Sequence, residues 1–190
     1  MVDASGDVLG YLAWQDVFQT PGPSPSLPLE KVPDGGSLVY IPYANYTEFN
    51  VSYPGCVDIF DVNHGSLIHR ISLVEQIQQV TDAMAIDSYG QNIYLITNAG
   101  LTIVQFSNAA LSVGHLKPTT GPAGTSVTIF GSGFQQTTSV SANGSAATAT
   151  FVNANTLQAT MPSIATGPVQ ITVTNPAGGT YSLDNAFTIQ

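Results

Sequence analysis

The chain is 190 residues long and carries a net charge of −9, yet only 8% of its residues are charged, against roughly 25% in ordinary soluble domains. Its fixed positive charge is confined to Lys31, Arg70 and Lys117. That is too little to neutralise the phosphates on which nucleic-acid affinity depends, and it disfavours anionic membrane surfaces for the same reason.

A hydrophobic content of 43% is enough for a sizeable core, in one large domain or two of ordinary size. Polarity comes from Ser, Thr, Asn, Gln and Gly, while the helix formers Glu, Lys and Arg are scarce, so the composition is that of an all-β protein. The single cysteine, Cys56, excludes an intramolecular disulfide and a thiolate metal cluster. A charge-poor, Thr/Asn-rich chain with almost no cysteine points to an exported bacterial protein, extracellular or on the cell surface. The N-terminal MVDASGD has neither the basic nor the apolar region of a signal peptide, and no apolar run reaches the roughly 18 residues that span a bilayer. If the native protein is exported, this chain is expected to be an excised piece of it.

In chain order, residues 8–14 (VLGYLAW) read as a strand, and the prolines of 20–28 (TPGPSPSLP) predict an exposed extended loop. Short β-runs bounded by turn residues follow at 37–44 (SLVYIPYA), 56–62 (CVDIFDV), 67–73 (LIHRISL), 83–87 (AMAID), 92–97 (NIYLIT) and 101–106 (LTIVQF). The stretch PDGGSLVYIP from Pro33 aligns with SYGQNIYLIT from Ser88, and VDIFDV lies downstream of the first as LTIVQF lies downstream of the second. The offset of roughly 50 residues is in the range of β-propeller blades. Residues 28–106 resemble blades of the YVTN or NHL-like kind, and the resemblance makes 61–65 (DVNHG) the turn between two outer strands. A propeller closes with four to eight blades and this chain has room for about two. The resemblance therefore implies the last blades of a longer propeller; the alternative is a compact β-domain of its own.

Residues 107–118 show no sustained period and lead into a second region, so the expected domains are 1–110 and 111–190. In that second region Val127 and Ile129 alternate with Thr128 and Phe130, as on a half-buried strand. Gly131, Gly133 and Phe134 then turn the chain and supply an aromatic plug. Asn143-Gly144 is a hairpin signal, because both residues tolerate φ > 0. Val169, Ile171 and Val173 alternate with Gln170, Thr172 and Thr174, the segment from Asn175 to Gly179 is a turn, and 186–189 (AFTI) closes the domain. The opening PTTGPAGTSVTIFGSGF from Pro118 and the closing GPVQITVTNPAGG from Gly167 resemble those of IPT/TIG domains, and the resemblance extends over residues 112–190. It implies an immunoglobulin-like β-sandwich of the E-set kind that serves larger proteins as a non-catalytic module. Some relatives bind DNA through basic loops; here only Lys117 is available, which removes that role.

No constellation amounts to an active site, so catalysis and cofactors are not expected. Phe130-Gly-Ser-Gly-Phe134 lacks the third glycine and the following helix of a dinucleotide loop. His64, His69 and His115 have no ligand spacing with Asp58 or Asp61. Those two aspartates, three apart on an extended chain, face opposite ways, and turn-capping and solvation suffice for them. Cys56 opens an apolar strand with no cation to activate it, and reads as a buried inert thiol. Three sequons, Asn45-Tyr-Thr, Asn50-Val-Ser and Asn143-Gly-Ser, are matches of a length frequent by chance. Trp14, Tyr40, Tyr43, Tyr46, Tyr53 and Tyr89 either offer aromatic faces to sugars or fill blade interfaces and decorate a loop. Tyr43, Tyr46 and Tyr53, in a Tyr/Asn-rich loop, are the candidate ligand contacts, because aromatic faces stack on sugars. The expected role is a structural, adhesion or interaction module; the alternatives are a carbohydrate-binding module and a fragment of a larger propeller enzyme. Partners would be other domains of the parent, cell-surface proteins or polysaccharides. Blades without neighbours would leave open sheet edges and a flat apolar face, and with them self-association or packing onto the sandwich.

Overall fold

The computed structural model describes residues 30–31, 36–43, 46–48, 51–78, 80 and 83–190, and the predicted strand at 8–14, Trp14 and the proline loop at 20–28 lie outside them. All regular elements among the described residues are β-strands. They fall into two compact units that part at Asn108/Ala109, with Gly36 and Ser37 grouped with the second.

The first unit holds two antiparallel meanders. One consists of β1 (Glu30–Lys31), β2 (Leu38–Tyr43), β5 (Gly55–Asp61) and β6 (Ser66–Leu73), paired in the order β1-β2-β5-β6. Between β2 and β5 the chain forms a separate two-stranded sheet, β3 (Tyr46–Glu48) with β4 (Val51–Tyr53). The segment read as a loop is therefore a hairpin. The other meander is β7 (Met84–Ile86), β8 (Asn92–Thr97) and β9 (Gly100–Gln105), and Ile77 bridges to Thr97 beside β7.

Every residue of β5 is buried, so this strand is covered on both faces. That explains its near-continuous apolar run, and also why its two aspartates need partners. The chain turns between β5 and β6, where Asp61 accepts from Asn63 N at 3.1 Å and from His64 Nδ1, and Gly65 takes φ 63°.

The second unit comprises β10 (Ser112–Lys117), β11 (Thr120–Gly121), β12 (Ser126–Ser132), β13 (Ser139–Ala142), β14 (Ser145–Asn153), β15 (Thr156–Thr160), β16 (Gly167–Thr174) and β17 (Thr180–Ile189). Two sheets share β14. Its start pairs with β13, through Ala142↔Ser145 to Val140↔Ala147, and its remainder pairs with β15, from Thr148↔Thr160 onward. The first edge is divided likewise: β10 pairs with β12, the chain passes the cis Lys117–Pro118 bond, and β11 runs parallel to β17. Between the sheets lies one core, with Val127, Ile129, Leu157 and Ala159 from one side and Val140, Ile171, Val173 and Phe187 from the other. Interdigitation of two inner faces is the packing of an immunoglobulin-like sandwich.

Two strands differ from the sequence reading for one reason. Residues 112–117 were read as aperiodic, yet they form β10; a bulge between Val113 and His115 lets Val113 and Leu116, an odd number apart, both point inward. The closing strand begins at Thr180 rather than 186. Opposite Gln170 the register steps two residues along β16 against four along β17, with Asn185 at φ 51°, so the inward Leu183 and Phe187 stand four apart. An irregularity of either kind interrupts the simple alternation, and pattern reading stops there.

Candidate functional site

The polar groups singled out in the sequence divide into structural pairs. Asp58 and Arg70 are register partners on β5 and β6, joined by two parallel bonds, Nε to Oδ1 at 2.7 Å and Nη2 to Oδ2 at 2.8 Å. The carboxylate is fully buried, whereas the Arg70 side chain is partly open to water. Solvation therefore does not account for Asp58, contrary to the sequence reading; a buried ion pair does. Cys56 is buried and is the register partner of Tyr43 and Ser72. His69 is exposed on β6, and His115 stacks on Phe130 with ring centroids 4.6 Å apart, far along the chain from His64. Among the described residues no group of three His, Cys, Asp or Glu side chains is placed to hold a metal.

Of the three candidate tyrosines, Tyr43 lies at the end of β2, only 5% exposed. Its phenol is pushed well above the usual tyrosine range, first by burial, then by the nearby Asp58 and Cys56, with Arg70 opposing. It belongs to the core and offers no open stacking face. Tyr46 and Tyr53 are direct register partners across β3 and β4.

Among the described residues of the first unit, an open apolar surface lies on β8 and β9. Ile93, Leu95 and Thr97 point inward from β8, which leaves Tyr94 and Ile96 on its other face. Register sets Tyr94 opposite Ile103 and Ile96 opposite Leu101, so the four side chains form one continuous patch. Their exposures are 37%, 44%, 54% and 68% in the order Tyr94, Ile96, Ile103, Leu101. They present on the order of 400 Å² of apolar surface, comparable to the largest patch on a typical monomer. Neither strand carries a charged residue. The turn between the two strands is fixed by Thr97, whose hydroxyl donates to Gly100 O at 3.1 Å and accepts from Ala99 N.

Aligning the two meanders through the sequence repeat places Tyr94, Ile96, Ile103 and Leu101 at the positions of Val39, Ile41, Phe60 and Asp58. Val39, Phe60 and Asp58 are buried, and Ile41 is half-buried. The same face is thus covered in one repeat and open in the next. The sequence held the signal, an apolar residue at every position from 93 to 96, but it did not say which face would stay open.

In the sandwich, the signature residues meet at one end. Phe134 is buried in the core, and its turn is held by Asn175, whose Nδ2 donates to Gly133 O at 2.8 Å. Thr138 Oγ1 donates to Asn175 Oδ1 at 2.5 Å and accepts from Gln135 N at 2.7 Å. Gly133 takes φ 69°. A Cβ at Gly131 would run into the Ser112 carbonyl oxygen and lie 2.6 Å from Phe134 Cζ. Two short motifs far apart in sequence are therefore one buried clasp, a structural role for residues that superficially resemble a nucleotide loop.

Comparison with solved structures finds γ-CGTase from alkalophilic Bacillus clarkii, at 16% identity and TM-score 0.42, covering 85% of this chain and 25% of that one. SGBP-B from a complex xyloglucan utilization locus in Bacteroides uniformis is similar at 13% identity and TM-score 0.37, with 84% and 47% covered. The plexin A4 full extracellular region is similar at 16% identity and TM-score 0.38, with 90% and 18% covered. This chain spans less than half the length of each. No curated protein matches it. Residues 111–189 match the family model of the IPT/TIG domain, and with the two-sheet core described above they are an IPT/TIG domain of immunoglobulin-like fold.

Proposed function

We propose that this chain is a non-catalytic interaction module of an exported, multidomain bacterial protein, in which the sandwich acts as a spacer and the β7–β9 meander makes the contact. The open apolar face of Tyr94, Ile96, Leu101 and Ile103 carries this reading. Uncharged sheet of this kind is left bare at a cost, and the burial of its counterpart in the preceding repeat supports its being a face that takes cover. The two meanders are read as consecutive propeller blades. Their repeat supports this, as does the approach of their first strands, β1 and β7, to each other. In the isolated chain the occupant is a second copy. Two such faces bury about 800 Å², below the roughly 1,200–2,000 Å² of a stable complex, so the dimer is weak. The low charge and near absence of cysteine support export.

The test is light scattering over a concentration series, with Leu101→Lys/Ile103→Lys alongside. The expected result is a concentration-dependent dimer at about 100 μM that the exposed double variant abolishes without loss of stability. A chain that stays monomeric there overturns the reading. The carbohydrate alternative rests on Tyr46 and Tyr53 at one register position. Retention on insoluble polysaccharide that survives Leu101→Lys/Ile103→Lys and is lost in Tyr46→Ala/Tyr53→Ala would replace the proposed role.

A further inference from the structure

The turn between β13 and β14 carries a chemistry that the sandwich itself does not use. Asn143-Gly144 is the only Asn-Gly pair in the chain. Both residues are exposed and both take left-handed φ, 47° and 80°, which makes the tight two-residue hairpin. Gly144 has no side chain to shield its backbone nitrogen, and nothing lies within 4 Å of where a Cβ would be. An asparagine followed by such a nitrogen is set up for intramolecular attack on its own side-chain amide.

Two bonds restrain that attack. Asn143 N donates to Gln170 O at 2.9 Å, and Asn143 Oδ1 accepts from Gln170 N at 2.8 Å. Gln170 stands on β16 at the bulge opposite β17, where its own backbone N–H is spent on the asparagine side chain. Swinging Asn143 Cγ onto the Gly144 nitrogen requires release of the Oδ1 bond.

We propose that Asn143 is a self-modification site, a deamidation centre latched by Gln170 in the fold and released when the turn detaches from β16. The deprotonated Gly144 nitrogen attacks Asn143 Cγ. A new N–C bond closes a succinimide, the Cγ–Nδ2 bond breaks, and the nitrogen departs as ammonia after taking a proton from solvent. Water then adds to either ring carbonyl, giving aspartate or the β-linked isoaspartate; no oxidant or other co-reactant enters. Isoaspartate lengthens the main chain inside a two-residue turn. Because β14 is the strand that crosses between the sheets, that product closes the hairpin poorly. A transient opening thereby becomes a permanent mark.

The experiment incubates the full chain in mildly alkaline buffer, folded and in urea, and follows peptide masses for the exchange of NH₂ for OH. The expected result is modification confined to Asn143 in urea and at least about tenfold slower in the fold, since local opening limits it. Gly144→Ala, compared in urea so that folding plays no part, is expected to slow the unfolded rate several-fold. Equal rates folded and unfolded overturn the latch. Conversion at another asparagine with Asn143 intact, or no effect of Gly144→Ala in urea, overturns the site.

Discussion

Replacing Arg70 by methionine takes away one half of a buried ion pair and strands the other. Asp58 is wholly removed from water and takes both bonds of the Arg70 fork, at 2.7 and 2.8 Å. Methionine fills much of the volume but donates nothing, so the carboxylate remains buried without its counter-charge. Losses of this kind run to about 3–5 kcal/mol. The reverse change is milder: in Asp58→Asn the Arg70 side chain, 21% exposed, can recover part of its hydration, which puts the loss at about 1–3 kcal/mol. Asp58→Asn/Arg70→Met removes both charges, so neither is left without its counter-charge. It should then be more stable than the sum of the single changes predicts by at least about 2 kcal/mol. Urea unfolding followed by circular dichroism reads all three, with the transition of the sandwich as an internal reference. If Asp58→Asn costs as much as Arg70→Met, or if the two effects add, then burial of the carboxylate is not what makes the pair matter.

Gly131→Ala is expected to destabilise the sandwich by about 3 kcal/mol, because the added methyl meets a backbone carbonyl that cannot move aside; an effect below about 1 kcal/mol in the same urea experiment would contradict the close approach of β10 and β12. The first unit should be sensitive to alkali. Tyr40 is raised from 10.0 to about 12, chiefly by burial and then by Asp87, and Tyr43 is raised for the reasons given above. A raised value in the fold means that the protonated phenols support folding fully below pH 10.0, and that this contribution fades as the pH rises through about 12. Absorbance titration should show late tyrosinate formation coupled to unfolding, and Tyr40→Phe/Tyr43→Phe should remove the coupling; early, uncoupled titration of all eight tyrosines would refute it. Asp87 responds on the acid side. Burial alone would raise it, but bonds from the Asn92 side chain and from the Gln91, Asn92 and Tyr89 backbones outweigh that and hold it low. The stability it lends is present at neutral pH and lost as the pH falls through its lowered value, and Asp87→Asn should flatten that acid limb of the unfolding profile.

Strands β2, β5 to β9, β12, β16 and the end of β17 could be read from short apolar or alternating runs bounded by turn residues, because such runs must lay at least one face on a core; β1, β3, β4, β10, β11, β13 to β15 and the start of β17 could not. The Asn143-Gly144 turn was legible for a similarly local reason, since few residue pairs tolerate two left-handed conformations in succession. Signature motifs pointed to the IPT/TIG domain because its clasp needs glycine where Ser112 and Phe134 crowd the chain, and asparagine where Gly133 and Thr138 must both be bonded. What lay beyond the sequence was everything set by cover from elsewhere in the fold. An apolar run such as 93–96 is identical whether both faces are buried or one is open, and only the packing leaves Tyr94 and Ile96 exposed while Ile93 and Leu95 are enclosed. Asp58 looks like any strand-edge carboxylate until both faces of β5 are closed and Arg70 is its one cationic register partner. Tyr43 reads like its neighbours Tyr46 and Tyr53 until the sheet takes it into the core. Local conformation is decided by a residue and its neighbours in the chain, whereas burial is decided by what the rest of the chain lays on top.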